Sequence, residues 1–252
     1  MAGMRLQLFE VNFKARDDSA LGRFWAAALG WRASSGEPGA TSVDPVGAAW
    51  PDPAAVRVEA VAVPDPETAK DRAHIDLATT SADHHAELVA RLRELGATPA
   101  PAGAGRCEPS RTALADPEGN VFCVREPHDC RPDTGPIAAV VVHCADPRAM
   151  ARFWSGAMDW TVHEADDDHA LLRTAEGVGP CLELLRTPHP SDVRHRAHLD
   201  LAPRPFDRDR QAAEVARLET LGAALPDTGR GDFPWQVMTD PEGNEFCVLG
   251  PA

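Results

Sequence analysis

The chain contains no apolar run near the length needed to span a bilayer, which argues against a transmembrane helix. Its first residues, MAGMRLQLFEVNF, show no long apolar core followed by a small-residue cleavage site. No secretory signal is therefore expected, and the expected location is cytoplasmic. Basic residues are scarce, with 25 Lys and Arg against 39 Asp and Glu and a net charge of −14. A nucleic acid or an anionic membrane needs a basic face, so neither is an expected partner. None of the six cysteines (Cys107, Cys123, Cys130, Cys144, Cys181 and Cys247) stands in a C-x-x-C pair, which disfavours a zinc knuckle. Free thiols in a reducing compartment are expected instead. Tyrosine is absent, and nothing in the pattern gives a physical reason for it.

What is present is a repeat. TALADPEGNVFCV (112–124) returns as QVMTDPEGNEFCV (236–248), and RAHIDLA (72–78) returns as RAHLDLA (196–202). LVARLRELGA (88–97) returns as EVARLETLGA (214–223), and RFW stands at 23–25 and again at 152–154. The blocks keep their order, so the chain is a tandem duplication. Its 252 residues suit two domains, placed at 1–126 and 137–252, and 43% hydrophobic content can supply their cores. The linker between them, PHDCRPDTGP (127–136), is too rich in proline and charge for a helix or strand.

Each half divides again. An apolar run at 6–13 precedes a helix over 17–31, with Asp17, Asp18 or Ser19 as cap and Gly30 as stop. VRVEAVAV (56–63) alternates like a strand. Strand 73–79, helix 81–95 and a strand at 121–124 follow, the last after a DPEGN turn. The second half repeats the plan with strands at 137–144, 180–187, 197–202 and 245–249 and helices at 147–158 and roughly 207–221. Each quarter reads strand, helix, strands.

An FW-containing helix ending in LGW (29–31), a strand opening with His, and DPEGN before a final strand resemble the glyoxalase / bleomycin-resistance family of the vicinal oxygen chelate superfamily. The resemblance covers nearly the whole chain, once per half. It implies an α+β fold of four βαβββ modules that pair into two half-open barrels, as tandem glyoxalase-like domains. It does not say whether modules pair within a half or between halves. It also implies a divalent metal held by His and Glu from the first and last strands of the modules, with Zn, Ni, Mn or Fe as candidates, or a member with none.

Carried over position by position, the resemblance nominates Glu10, Glu59, His74 and Cys123 as metal ligands in the first half, with Glu10 and His74 as catalytic groups. In the second half, Ala139 stands where Glu10 does, leaving Glu183, His198 and Cys247, with His143 four residues beyond Ala139 on the same strand face. The bland readings stand beside these. Each Cys sits in a Phe-Cys-Val strand and reads as a small core residue. Each His shares a strand face with an acid two residues on (Asp76 or Asp200) and reads equally as a structural pair. Trp50 and Trp235 do not repeat, and aromatic faces suit flat ligands, so both are candidate pocket residues. Trp25, Trp31, Trp154 and Trp160 repeat and read as core, and the DPEGN turns as architecture.

Two functions follow from the resemblance. One is a metal-assisted lyase or isomerase acting on a small oxygen-rich molecule. The other is a protein that binds and sequesters an antibiotic or metabolite without turnover. A ring-cleaving dioxygenase ranks below both, because Ala139 and Cys247 depart from the two His and one Glu it needs in the second half. The chain is expected to be a monomer or homodimer with a small-molecule partner.

Overall fold

The structure is a computed structural model that describes residues 6–64, 66, 72–101, 111–158, 160–187, 196–226 and 233–251. Cys107, expected to be a free thiol, lies outside them. The four quarters fold as four modules. The first is β1 (Gln7–Ala15), α1 (Asp18–Leu29), β2 (Arg32–Ser34), β3 (Ala40–Asp44) and β4 (Arg57–Ala62). The second is β5 (Ala73–Leu77), α2 (Ala82–Glu94), β6 (Thr98–Pro99), β7 (Arg111–Ala115) and β8 (Val121–Arg125). The third is β9 (Ile137–Cys144), α3 (Pro147–Met158), β10 (Thr161–Ala165), β11 (His169–Arg173) and β12 (Cys181–Arg186). The fourth is β13 (Ala197–Ala202), α4 (Arg208–Thr220), β14 (Trp235–Thr239) and β15 (Glu245–Leu249). A single bridge, Ala224 to Thr239, stands there in the place of β6.

Local chemistry accounts for the helix ends. Asp17 accepts a 2.8 Å hydrogen bond from the Ala20 amide, and Ser81 accepts one from the His84 amide at 3.0 Å. Each satisfies a donor that the first turn leaves unpaired. Gly30 closes α1 at φ 70, the left-handed region where a side chain would be strained.

The modules pair across the halves. A seven-stranded sheet runs β14-β15-β13-β1-β4-β3-β2, and an eight-stranded sheet runs β10-β11-β12-β9-β5-β8-β7-β6. The first module therefore joins the fourth through the antiparallel β1–β13 seam, and the second joins the third through β5–β9. These are the two half-open barrels of the expected fold.

The repeated motifs are explained by a pseudo-twofold set of contacts. Arg72 donates to the Glu242 carbonyl in the second DPEGN turn, and Arg196 donates to the Glu118 carbonyl in the first. The Glu118 carboxylate accepts the backbone amides of Arg16 and Asp17 ahead of α1, and Glu242 accepts those of Ala145 and Asp146 ahead of α3. Trp25 stacks on Phe13 and meets Phe122 edge-on at 5.1 Å, and Trp154 meets Phe246 at 5.3 Å. Trp25, Trp154 and Trp160 are buried as expected, while Trp31 is only partly buried against the core.

Candidate functional site

Strand alternation assigns the two faces of each sheet. In the seven-stranded sheet, Val11, Phe13, Val58, Ala60, Leu199, Leu201, Phe246 and Val248 point into the main core. Their neighbours Glu10, Asn12, Arg57, Glu59, His198, Asp200, Glu245 and Cys247 therefore point into the barrel. Register lines them up in two rows. Cys247, Asp200, Glu10 and Arg57 are partners across β15, β13, β1 and β4. His198, Asn12, Glu59 and Ser42 form the row beside it.

The centre of this face is acidic and tightly connected. His198 Nε2 lies 3.2 Å from Asp200 Oδ1. A nitrogen of His198, an oxygen of Asp200 and the Cys247 sulfur all lie within 4.8 Å of one another. Burial pushes the Glu10 carboxyl well above the usual carboxylate range, and the Asp200 charge adds to this, while Arg57 works against it. Burial acts on Asp200 in the same direction, but His198 and the contacts to Glu10 and Cys247 hold its pKa below the ordinary value. Burial, then Asp200, keeps the Cys247 thiol well up.

Arg57 bridges the acids. Its Nε donates to Glu10 Oε2 at 2.5 Å, and its other nitrogens reach Glu59 at 3.3 Å and Asp44 at 3.8 Å. Ser42 donates to Glu59 at 3.0 Å. The Arg57 guanidinium also sits 4.4 Å over the Phe9 ring. Phe9 packs edge-on with Trp50 at 5.0 Å and Phe206 at 5.6 Å. Trp235, on β14, stacks with Phe233, and both are exposed. Lys14 and Glu245 form a 3.7 Å ion pair on the same face.

The barrel face of the eight-stranded sheet is filled. Ala139, Val141, Leu171, Cys181 and Leu185 form a second apolar cluster on it. Beside them lie buried His74, Asp76, Arg125 and Glu183. Arg125 holds Glu183 through two 2.7 Å contacts and Asp76 Oδ2 at 2.9 Å, and Arg111 reaches the same Asp76 oxygen at 2.7 Å. His74 lies 3.2 Å from Asp76 Oδ1, and its ring is 5.3 Å from that of His143.

The nominated residues thus divide between two places. Glu10 and Glu59 share a face with His198 and Cys247, whereas His74 and Cys123 share one with Glu183 and His143. Trp50 and Trp235 both belong to the seven-stranded sheet's barrel. The expectation of free thiols holds for Cys130, Cys144, Cys181 and Cys247 but is corrected at Cys123, which is disulfide-bonded. Spacing along the chain does not report which cysteines meet in space. Sequence reasoning also passed over Arg57, Phe9, Phe206, Arg111 and Arg125. Position-by-position comparison of the repeats carried a signal for the last two, because Trp235 and Leu249 stand at their places in the second copy.

The two faces differ as candidate cation sites. On the seven-stranded sheet, the His198 Nδ1 atom is buried without a hydrogen-bond partner, as is His74 Nε2 on the other sheet. The imidazole, carboxylate and thiol donors there are those zinc and its neighbours accept. On the eight-stranded sheet, His74, Asp76 and Cys123 also lie within 4.8 Å of one another. That geometry is outweighed by chemistry: the Cys123 sulfur is spent in a disulfide, and Asp76 and Glu183 are already neutralised by guanidinium groups.

Comparison with known proteins places this architecture. Glyoxalase I from Zea mays superposes with a TM-score of 0.66 at 16% identity, over 97% of this chain and 92% of that one. A point mutant of the maize enzyme gives 0.65 at 16% identity, over 98% and 94%. A proposed dioxygenase from Bacillus subtilis gives 0.63 at 12% identity, over 99% and 86%. At such identities the likeness is one of fold. No curated protein matches the sequence. No helix among the described residues is long and apolar enough to cross a membrane. The glyoxalase-like domain family matches twice, over residues 10–125 and 139–249, and the chain belongs to that family in tandem form.

Proposed function

We propose that the chain acts on a small, flat, oxygen-rich molecule in the barrel of the seven-stranded sheet, as a metal-assisted lyase or isomerase. The observation that carries this reading is the meeting of His198, Asp200 and Cys247 donors within 4.8 Å, one strand from Glu10. His198, Asp200 and Cys247 would hold the cation, which when bound would polarise neighbouring oxygens of a substrate. The protein's own groups supply the rest. Glu10, its carboxyl raised by burial, can hold a proton and exchange it with a substrate carbon or oxygen. Arg57 fixes the Glu10 rotamer, and Phe9, Trp50 and Phe206 offer apolar surface to a flat ligand.

Elemental analysis of the purified chain tests this. About one Zn²⁺, Ni²⁺, Mn²⁺ or Fe²⁺ per chain, lost in His198→Ala and kept in His74→Ala, is the expected outcome. No retained ion after soaking with all four would remove the metal-assisted reading. A second reading, sequestration without turnover, is favoured by Arg57, which already neutralises much of the charge on Glu10 and Glu59. Tight binding of an organic ligand with no product would decide for it.

A further inference from the structure

The duplication allows each barrel position to be read against its copy. Glu10 corresponds to Ala139, Asn12 to Val141 and Phe9 to Ala138. Arg57, the β4 partner of Glu10, corresponds to Cys181, the β12 partner of Ala139. Arg111 corresponds to Trp235, and Arg125 to Leu249. The substitutions leave one face with acids, aromatics and Arg57, and the other with an apolar cluster, Arg111 and Arg125.

We propose that the eight-stranded face is a metal-excluding clasp, in which Arg111 and Arg125 supply from within the chain the positive charge that a cation would bring. Asp76, Arg111 and Arg125 come from the N-terminal half and Glu183 from the C-terminal half, so the clasp also joins the two halves across β5 and β9. Arg125 Nη1 donates to Glu183 Oε1 at 2.7 Å, and Nη2 lies 2.7 Å from Oε2 as an ion pair, a charge-assisted contact of the strong kind. Arg125 is 2% exposed, Asp76 is fully buried and Glu183 is 2% exposed, so solvent ions do not reach the pair. Two buried carboxylates between two guanidinium groups are balanced in charge. A divalent cation entering there would have to expel an arginine into an apolar cluster, at the cost of an unpaired buried charge. The inference extends beyond the function proposed above and does not depend on it.

The test uses the full chain with His198→Ala, which removes the imidazole of the other cluster. After exposure to Zn²⁺, Mn²⁺ and Ni²⁺ and gel filtration, its metal content should be unchanged by adding His74→Ala. A stoichiometric ion retained by His198→Ala and lost on adding His74→Ala would overturn the proposal. A second arm adds Arg111→Met and Arg125→Met to His198→Ala, leaving Asp76 and Glu183 with no cation between them. This chain should melt lower than its parent, and added Mn²⁺ should raise its Tm while leaving the parent's unmoved. A parent Tm that rises as much with Mn²⁺ contradicts the clasp. If the triple variant does not fold, the first arm decides. A wild-type chain that retains no ion sinks the metal reading of the seven-stranded face and agrees with the clasp.

Discussion

Arg57 touches Glu10, Glu59 and Asp44 at once and lies over Phe9. Replacing it with Met keeps much of the stem and removes the charge. Glu10 is then a buried carboxyl without its cation, which should cost about 1–3 kcal/mol of stability in urea unfolding. An unchanged midpoint would show that Arg57 holds nothing. Asp76 carries a pH signature. Burial alone would raise its pKa, but His74, Arg125 and Arg111 hold it down at about 2. Its pKa in the unfolded chain is about 3.9, so its contribution is fully present above that value and is lost as pH falls toward 2. Nearly two pKa units correspond to roughly 2–3 kcal/mol. Asp76→Asn should therefore be destabilised at neutral pH and flatter than wild type between pH 4 and pH 2. An equally steep acid limb in the variant would contradict this. Glu10, His74, Glu183 and His198 were nominated through the family resemblance, which carries ligand positions over one by one. Arg57, Arg111 and Arg125 stand at the starts or ends of their strands, where an arginine reads as solvated; only cross-strand register shows what they reach.

At the scale of elements, the tryptophan helices hold the two sheets together. Trp25 is fully buried, stacked on Phe13 and edge-on to Phe122 of the other sheet. Trp25→Ala should cost about 3–5 kcal/mol, read as a lowered denaturation midpoint. A smaller loss would mean that α1 repacks. The helices and the long inner strands were legible from an apolar stripe with a cap or a stop, from a short apolar run, from alternation as in VRVEAVAV, or from the repeat. Strands such as β2 and β10 were not, since every residue in them is exposed and no face is apolar enough to leave a pattern. They follow from the pairing of the strands beside them.

At the scale of the molecule, the exchange of modules decides which candidate ligands meet. RAHIDLA and RAHLDLA are nearly the same strand, so nothing local tells β1 to pair with β13 rather than β5. That choice, and with it the grouping of Glu10 with His198 and Cys247, was beyond sequence pattern. The same near-identity makes a prediction. Residues 1–126 alone would leave the β1 and β5 seams unpaired, and two copies can satisfy both by pairing β1 of one with β5 of the other. Sedimentation should show a dimer, and a stable monomer would mean that one half closes its own barrel. The proposed ligand face is that of the seven-stranded sheet, with Cys247 beside His198 and Asp200. Cobalt(II) titration followed by absorbance distinguishes it. A thiolate-to-cobalt charge-transfer band should saturate near one equivalent, disappear in Cys247→Ser and persist in Cys130→Ser. A band untouched by Cys247→Ser, or no band at all, would contradict it.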